Sequence, residues 1–311
     1  MYRDIDPRPD EPERPDLARG GRGGSDDERP SPADDSRDVF SRELDLPRGP
    51  SRERVQVHSH EYKLRGSEVR VMATAGALRV VPADELRGPA EGRNLLRKDL
   101  ERLRDLGLVR TMPYVIGRER TTLVTLTEQG RSVLEGARRP RDGEAPQAFY
   151  AGIAKTRELA HDVRLHRAYL VASERLVEGG NRVHRVVLDH ELKREYQAFL
   201  QAPNRGRRNS TGRPQRDPAE IVRWAQEHQL PMVDDHVQFP DVRIEYERPD
   251  GRHDVQDIEV MTPHYRGSHA AAKVSAGFTR YRSTGARLGG SRGSAREGRA
   301  RESRLAEEML E

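Results

Sequence analysis

The chain of 311 residues predicts an α+β protein, with two small mixed domains between unstructured tails. Three observations carry that expectation. Between Gly92 and Thr127 an amphipathic helix is followed at once by two β-prone runs around a glycine turn. From Phe149 onward, helical spacing alternates with short strands, the pattern of an α/β arrangement around a small sheet. Both chain ends consist of Pro, Gly, Ser, Arg and acidic residues with almost no periodic apolar positions. Such segments bury too little surface to offset the entropy of ordering.

Composition narrows the class. The chain is 33% hydrophobic and 35% charged, with a mean hydropathy of −0.93, so its cores are small or much of it is unfolded. It has no cysteine, which excludes disulfides, thiolate zinc sites and a cysteine nucleophile. No apolar run approaches the ~20 residues that span a bilayer, and the acidic N-terminus has no signal-peptide core. A cytoplasmic protein with no membrane partner is the expectation. Residues 1–50 hold 14 Asp and Glu against 9 Lys and Arg, a net of −5. The rest of the chain, within a total of +4, is therefore at +9. A basic body with an acidic tail suits a polyanionic partner, although charge alone supports only non-specific affinity.

Taken in order, residues 1–54 are expected to be a disordered acidic tail, with order beginning near Val55. His58-Ser59-His60 resembles a pair of strand histidines on a metal, but serine lies between them and no third histidine follows at a suitable spacing. A loop or strand edge is the better reading. Ser67 caps a helix over Glu68–Ala77 with Val69, Met72 and Ala73 inward. Val80–Val81 is a short strand, and Pro82-Ala83-Asp84 opens a second short helix ending near Gly88-Pro89. The helix over Arg93–Leu106 places Leu96, Leu100 and Leu103 at i, i+4, i+7, with Arg93, Arg97, Glu101 and Arg104 opposite. Gly107 stops it, as a residue that tolerates the left-handed cap conformation. Runs Leu108–Ile116 and Thr121–Leu126 then make a hairpin whose tip is Gly117-Arg118-Glu119-Arg120. A basic helix followed by such a ribbon is the working end of a winged helix-turn-helix, spanning residues 55–138. Its helix enters the DNA major groove and its ribbon tip lies on the neighbouring backbone.

Residues 139–148 read as a linker. Over 149–282 the pattern is a helix from Phe149 to Val177, ended by Gly179-Gly180, a strand over Val183–Leu188 and a helix over Asp189–Leu200. A basic loop of five arginines follows at 203–216, either a spacer or a phosphate-contacting arm. Asp217 caps a helix over Pro218–His228 with Trp224 inward. Strands Val237–Tyr246 and Val255–Met261 are joined by a turn at Pro249-Asp250-Gly251, and a last helix covers Ser268–Tyr281. Residues 283–311 are expected to be a disordered basic tail. His161, His166, His184, His190, His264 and His269 show no metal-ligand spacing, and no Walker-type phosphate loop or serine elbow is present.

Two resemblances refine this. The phrases "LLRKDLERLRDLGLV" and "TTLVTLTEQGRSVLE" resemble winged-helix domains of the MarR-like kind over about residues 60–138, with a closing helix from Glu128. The phrases "RELAHDVRLHRAYL" (157–170), "VHRVVLDHELKREY" (183–196), "FPDVRIEYERPDGRHDVQDIEV" (239–260) and "KVSAGFTRY" (273–281) are similar to the replication-relaxation family, which includes MobC-like plasmid mobilisation proteins. That resemblance covers about residues 60–282. It implies a winged helix joined to a degenerate restriction-endonuclease-like domain of the PD-(D/E)xK type.

The nuclease pattern can be tested on the residues. Two carboxylates on adjacent strands hold a divalent ion, and a lysine two residues beyond the second orients the attacking water. Pro240-Asp241 supplies the first, and Asp257 and Glu259 share one face of the next strand. The lysine position is occupied by Met261, and Lys273 on the following helix is the candidate to reach back in its place. Two readings stay open for Asp241, Asp257 and Glu259: remnants kept for folding, or a Mg2+- or Mn2+-dependent site with Lys273.

The function expected is that of a double-stranded-DNA-binding protein of a mobile element, with no cofactor. Its partners would be a relaxase or another mobilisation or replication protein, or a second copy of the chain. Arg93, Asn94, Arg97, Lys98 and Arg104 are the candidates in the groove helix, and Arg118 and Arg120 in the wing. Asn94 is the candidate for base-edge reading, because an amide can bond adenine bidentately. The alternatives are a metal-dependent endonuclease and a transcriptional repressor with a palindromic site.

Overall fold

The computed structural model describes residues 38–57, 59–86, 93–116, 119–139, 145–153, 156–204, 216–261 and 275–282. The expectations for residues 1–37 and 283–311, for the arginine loop at 205–215 and for His58, Arg118, His264, His269 and Lys273 lie outside these. The described residues form an α+β fold.

Order begins earlier than expected. Residues 38–54 are not a tail: Val39, Phe40, Leu44 and Leu46 are buried, and the Phe40 ring lies 5.2 Å from that of Tyr169. A hairpin follows, of β1 (Glu53–Val57) and β2 (His60–Leu64). Its residues alternate between solvent and core, with Val55, Val57, Tyr62 and Leu64 inward. Helix α1 (Gly66–Ala77) starts two residues before the expected point, and its cap is Arg65, not Ser67. The Glu68 carboxylate accepts the Arg65 backbone N–H at 3.0 Å, while the Ser67 hydroxyl turns to Asp99 at 2.6 Å.

Strand β3 (Val81–Pro82) leads into a 3-10 turn over Ala83–Leu86, then α2 (Arg93–Asp105), β4 (Val109–Ile116), β5 (Glu119–Leu126) and α3 (Glu128–Gly136). The three strands pair antiparallel in the order β3-β5-β4. Gly107 has φ +71°, the left-handed stop expected of it. The helix therefore turns directly into β4. Inside α3, a Cβ built on Gly130 would stand 2.1 Å from the Leu108 carbonyl oxygen. Gly130→Ala should therefore destabilise the protein by about 1–3 kcal/mol through overpacking, read as a lowered urea midpoint.

The second half is a four-stranded sheet of β6 (Arg182–Leu188), β9 (Val242–Glu247), β10 (His253–Met261) and β11 (Thr279–Arg282). Strands β6, β9 and β10 are antiparallel, and β11 joins β10 in parallel. Thr279–Tyr281 is therefore strand, where helix was expected. Val186, Leu188, Val242, Ile244, Ile258 and Val260 face helix α4 (Leu159–Glu178). Val187, on the other face, packs with α5 (Asp189–Gln201) and α6 (Pro218–Glu227) through Leu192 and Trp224. Asp217 caps α6 as expected, accepting the Ala219 N–H at 3.0 Å. A small ribbon, β7 (Met232–Val233) and β8 (His236–Val237), precedes β9.

Helix α4 joins the two sheets. Its Leu159 and Val163 pack on Leu123, Met112 and Tyr114 of the β4–β5 hairpin. Its Leu165, Ala168, Tyr169 and Ala172 belong to a core that runs unbroken from Val39 to Tyr281. Each fully buried aliphatic side chain there stabilises by roughly 1.5–3 kcal/mol. The helix does not extend back to Phe149, because the backbone of 149–152 is paired elsewhere. Tyr150 N–H donates to Gly76 and Gly152 N–H to Leu126, at 2.8 and 2.9 Å. The described part of the expected linker is not free chain either. Gln147 is buried, and its side-chain amide exchanges two hydrogen bonds with the Val186 backbone at 2.9 and 3.0 Å.

Candidate nucleic-acid interface

Helix α2 carries the arrangement its periodicity implied. Leu96 and Leu103 are buried, and Leu100 is packed against the core. Arg97, Lys98, Glu101 and Arg104 are exposed. Arg93 and Asn94 open the helix. The ion pairs on this face are loose: Arg97 to Glu101 at 3.6 Å and Arg104 to Asp105 at 3.9 Å, all four largely in solvent. Such pairs contribute little, so the cations are available to another anion. Lys98 makes no ion pair among the described residues.

The hairpin adds to this face. Arg120 is exposed and sits opposite Val115, itself 56% exposed; Arg110 is also exposed, but on the other face of the ribbon with Met112 and Tyr114. Its other face is covered by α4, so the hairpin is held from behind while Val115 and Arg120 meet water.

What holds α2 in place was not read from the sequence. Asp99, on the inner side of this basic helix, is 1% exposed. It accepts from Arg65 Nε at 3.1 Å, from a second nitrogen of the same guanidinium, and from Ser67 at 2.6 Å. Glu68, fully buried, accepts from Arg52 at 2.7 and 3.1 Å and lies 3.6 Å from Arg102. This network ties the β1–β2 hairpin, α1 and α2 together. Within LLRKDLERLRD, an aspartate next to a lysine and near three arginines looks like part of the solvated face; only the fold turns it inward.

The described nuclease candidates are engaged by protein groups. Both Asp257 oxygens are taken by the Arg243 fork at 2.7 and 2.8 Å, and Arg243 also donates to the carbonyls of His228 and Gln229. In this arrangement both Asp257 oxygens have Arg243 as their partner. Asp241 accepts the Val260 N–H at 2.8 Å, and its Oδ2 lies 3.3 Å from His161 Nε2. Burial opposes charge on His161, yet hydrogen bonds and charge from Asp162 and Asp241 raise its pKa to about 10. A charged imidazolium thus stands where a divalent ion would approach Asp241. Glu259 is buried on β10. Among the described residues no three His, Asp or Glu side chains are grouped to hold a metal ion. His161 is the residue that sequence spacing missed, because its partner lies on another element.

A second histidine has the opposite environment. Burial, and then the nearby charge of Arg79, lowers the pKa of His190 to about 4. Between an unfolded value of about 6.5 and that folded value the unfolded chain binds more protons. Stability should therefore fall as pH drops through this window. His190→Gln should flatten that part of the profile, measured as the urea midpoint against pH.

No helix among the described residues is long and apolar enough to cross a membrane. Comparison with known protein families, with characterised proteins and with solved structures finds no match to this chain.

Proposed function

We propose that this chain is a duplex-DNA-binding protein of the plasmid mobilisation or replication accessory type, in which a winged helix reads the DNA. The observation that carries the reading is the exposed basic face of α2 running directly into a hairpin with Arg120 exposed near its tip. The element order α1, β3, α2, β4, β5 with sheet order β3-β5-β4 supports it, since that is the wiring of a winged helix. Arg97, Lys98 and Arg104 approach phosphates and base edges in the groove, with Arg93 and Asn94 at the leading end. Arg120, with Arg118, lies along the backbone beside it. The second sheet acts as a scaffold, with a relaxase-like partner or a second copy as the further contact.

A nuclease-like second domain is the other reading, and the sheet topology favours it. Three antiparallel strands with a fourth added in parallel suit a restriction-endonuclease-like core, and Asp241 precedes the second strand while Glu259 lies on the third. The chemistry does not follow, because Met261 replaces the lysine and Arg243 occupies Asp257.

One gel separates these readings: purified protein with supercoiled plasmid in EDTA, Mg2+ or Mn2+. A shift in EDTA with intact plasmid under either metal is the expected result. Nicking that needs metal and disappears in Asp241→Ala would replace it with the nuclease. No shift at all would leave the basic helix as a protein-docking face and sink the proposal.

A further inference from the structure

Helix α2 has basic residues along two edges. Arg97 and Arg104, at i and i+7, share one edge; Lys98 and Arg102, at i and i+4, share the other. The ridge between them carries Glu101 and Asp105. The Lys98–Arg102 edge lies against the β1–β2 hairpin, because Arg102 donates to the Lys63 carbonyl at 3.3 Å. The Arg102 Nε stands 3.6 Å from the Glu68 carboxylate, whose same oxygen Arg52 already holds at 2.7 Å.

The hairpin continues that edge. Tyr62 and Leu64 turn into the core, so Lys63 points outward, directly opposite Arg54 in the strand register. Like charges in that position destabilise a strand pair. Arg54 has Glu61 at 3.7 Å, with both side chains about half or more in water, and such a pair compensates little. Lys63 and Lys98 are exposed and make no ion pair among the described residues. The buried carboxylates nearby, Glu68 and Asp99, are taken at close range by Arg52 and Arg65, and Glu53 lies on the ribbon's other face. The surplus positive charge therefore falls on Lys98, Arg102, Lys63 and Arg54, in a stripe from helix to ribbon. A helix seated in the major groove lies between two phosphate backbones, so each basic edge has a backbone to face.

We propose that the stripe of Lys98, Arg102, Lys63 and Arg54 follows one DNA backbone, which makes the β1–β2 hairpin a second phosphate-contacting ribbon beside α2. The inference rests on the DNA-binding reading and adds an element to it. Arg52 on Glu68 and Arg65 on Asp99 fix the base of the ribbon to α1 and α2. Its cations are thus placed before DNA arrives, which lowers the ordering cost of binding.

The test compares full-length variants by anisotropy of a labelled duplex of mixed sequence over a salt series. Arg54→Gln with Lys63→Gln should lower the slope of log affinity against log salt by about 1.8, as for two lost phosphate contacts. Affinity near 0.1 M salt should fall roughly tenfold or more. Circular dichroism and the melting midpoint establish that the variant is folded. The charge-keeping pair Arg54→Lys, Lys63→Arg should retain the wild-type slope; if it loses as much as the glutamine pair, the ribbon does not act through charge and the inference falls. A wild-type slope in the folded glutamine pair also overturns it, while duplex binding by the unaltered protein keeps the DNA reading standing. Absence of duplex binding by the unaltered protein overturns both together.

Discussion

On the proposed DNA-binding reading, replacing Arg97, Lys98 and Arg104 together by glutamate should lower duplex affinity by roughly 100-fold or more near 0.1 M salt. Each phosphate neutralised by a cation releases condensed counterions, so three lost contacts also reduce the salt slope by about 2.7. All three side chains are solvent-facing, and their ion partners Glu101 and Asp105 are exposed. The melting midpoint should therefore scarcely move, since such pairs contribute about 0–1 kcal/mol. Anisotropy of a labelled duplex over a salt series is the measurement. A wild-type slope in the triple variant would remove α2 from the interface. Reversal of Arg118 and Arg120 should give the same kind of loss in smaller measure, uniformly across DNA sequences, if the proposed wing lies on backbone phosphates, which carry no sequence information.

The largest stability effect is expected a few ångströms behind that face. Asp99→Ala removes a buried carboxylate that receives Arg65 twice and Ser67 once, and leaves those half-buried donors without it. Truncating one partner of a buried pair costs about 3–5 kcal/mol, enough to unfold a marginal domain. Glu101→Ala, two positions along the same helix, should change the urea midpoint by less than about 0.5 kcal/mol equivalent. The two substitutions also differ in their effect on DNA. Loss of Asp99 weakens binding by loosening the seat of α2, so affinity falls while the salt slope of the folded fraction stays the same. Loss of a surface cation changes the slope itself.

Much of this architecture can be read from residue order. The leucine spacing of α2, the stop at Gly107, the hairpin, the Asp217 cap and the β6, β9 and β10 strands follow from local periodicity and turn chemistry, and their ends agree within a few residues. The misreadings have one cause, which is that partners far along the chain decided the local state. Val39, Phe40, Leu44 and Leu46 are scattered among Arg, Pro and acidic residues; only a groove waiting beside Tyr169 makes them ordered. Phe149 to Ile153 has helical spacing but spends its backbone donors on α1 and β5. Thr279–Arg282 has too few residues to show a period, and becomes strand because the edge of β10 is open to it. The β1–β2 hairpin was a different case, for its period-two alternation was present in Val55, Val57, Tyr62 and Leu64 and went unused. The candidate site was half legible. Exposed cations could be named from spacing, whereas Asp99, Arg65 and His161 act through contacts that no local pattern records.

Helix α4 has a consequence for how such a chain can be taken apart. Leu159 and Val163 cover the back of the hairpin while Leu165, Ala168 and Tyr169 cover the second sheet, and Glu85 reaches His166 at 2.9 Å and Arg167 at 2.6 Å. A cut between Arg138 and Thr156 would leave a bare apolar surface on both fragments, inviting aggregation. The halves are not exchangeable cassettes, and a recombinant grafting this reading head onto another body would have to carry α4 with it. Within the intact chain α4 packs at once on the β4–β5 hairpin and on the second sheet, so a displacement of one is felt through its side chains by the other.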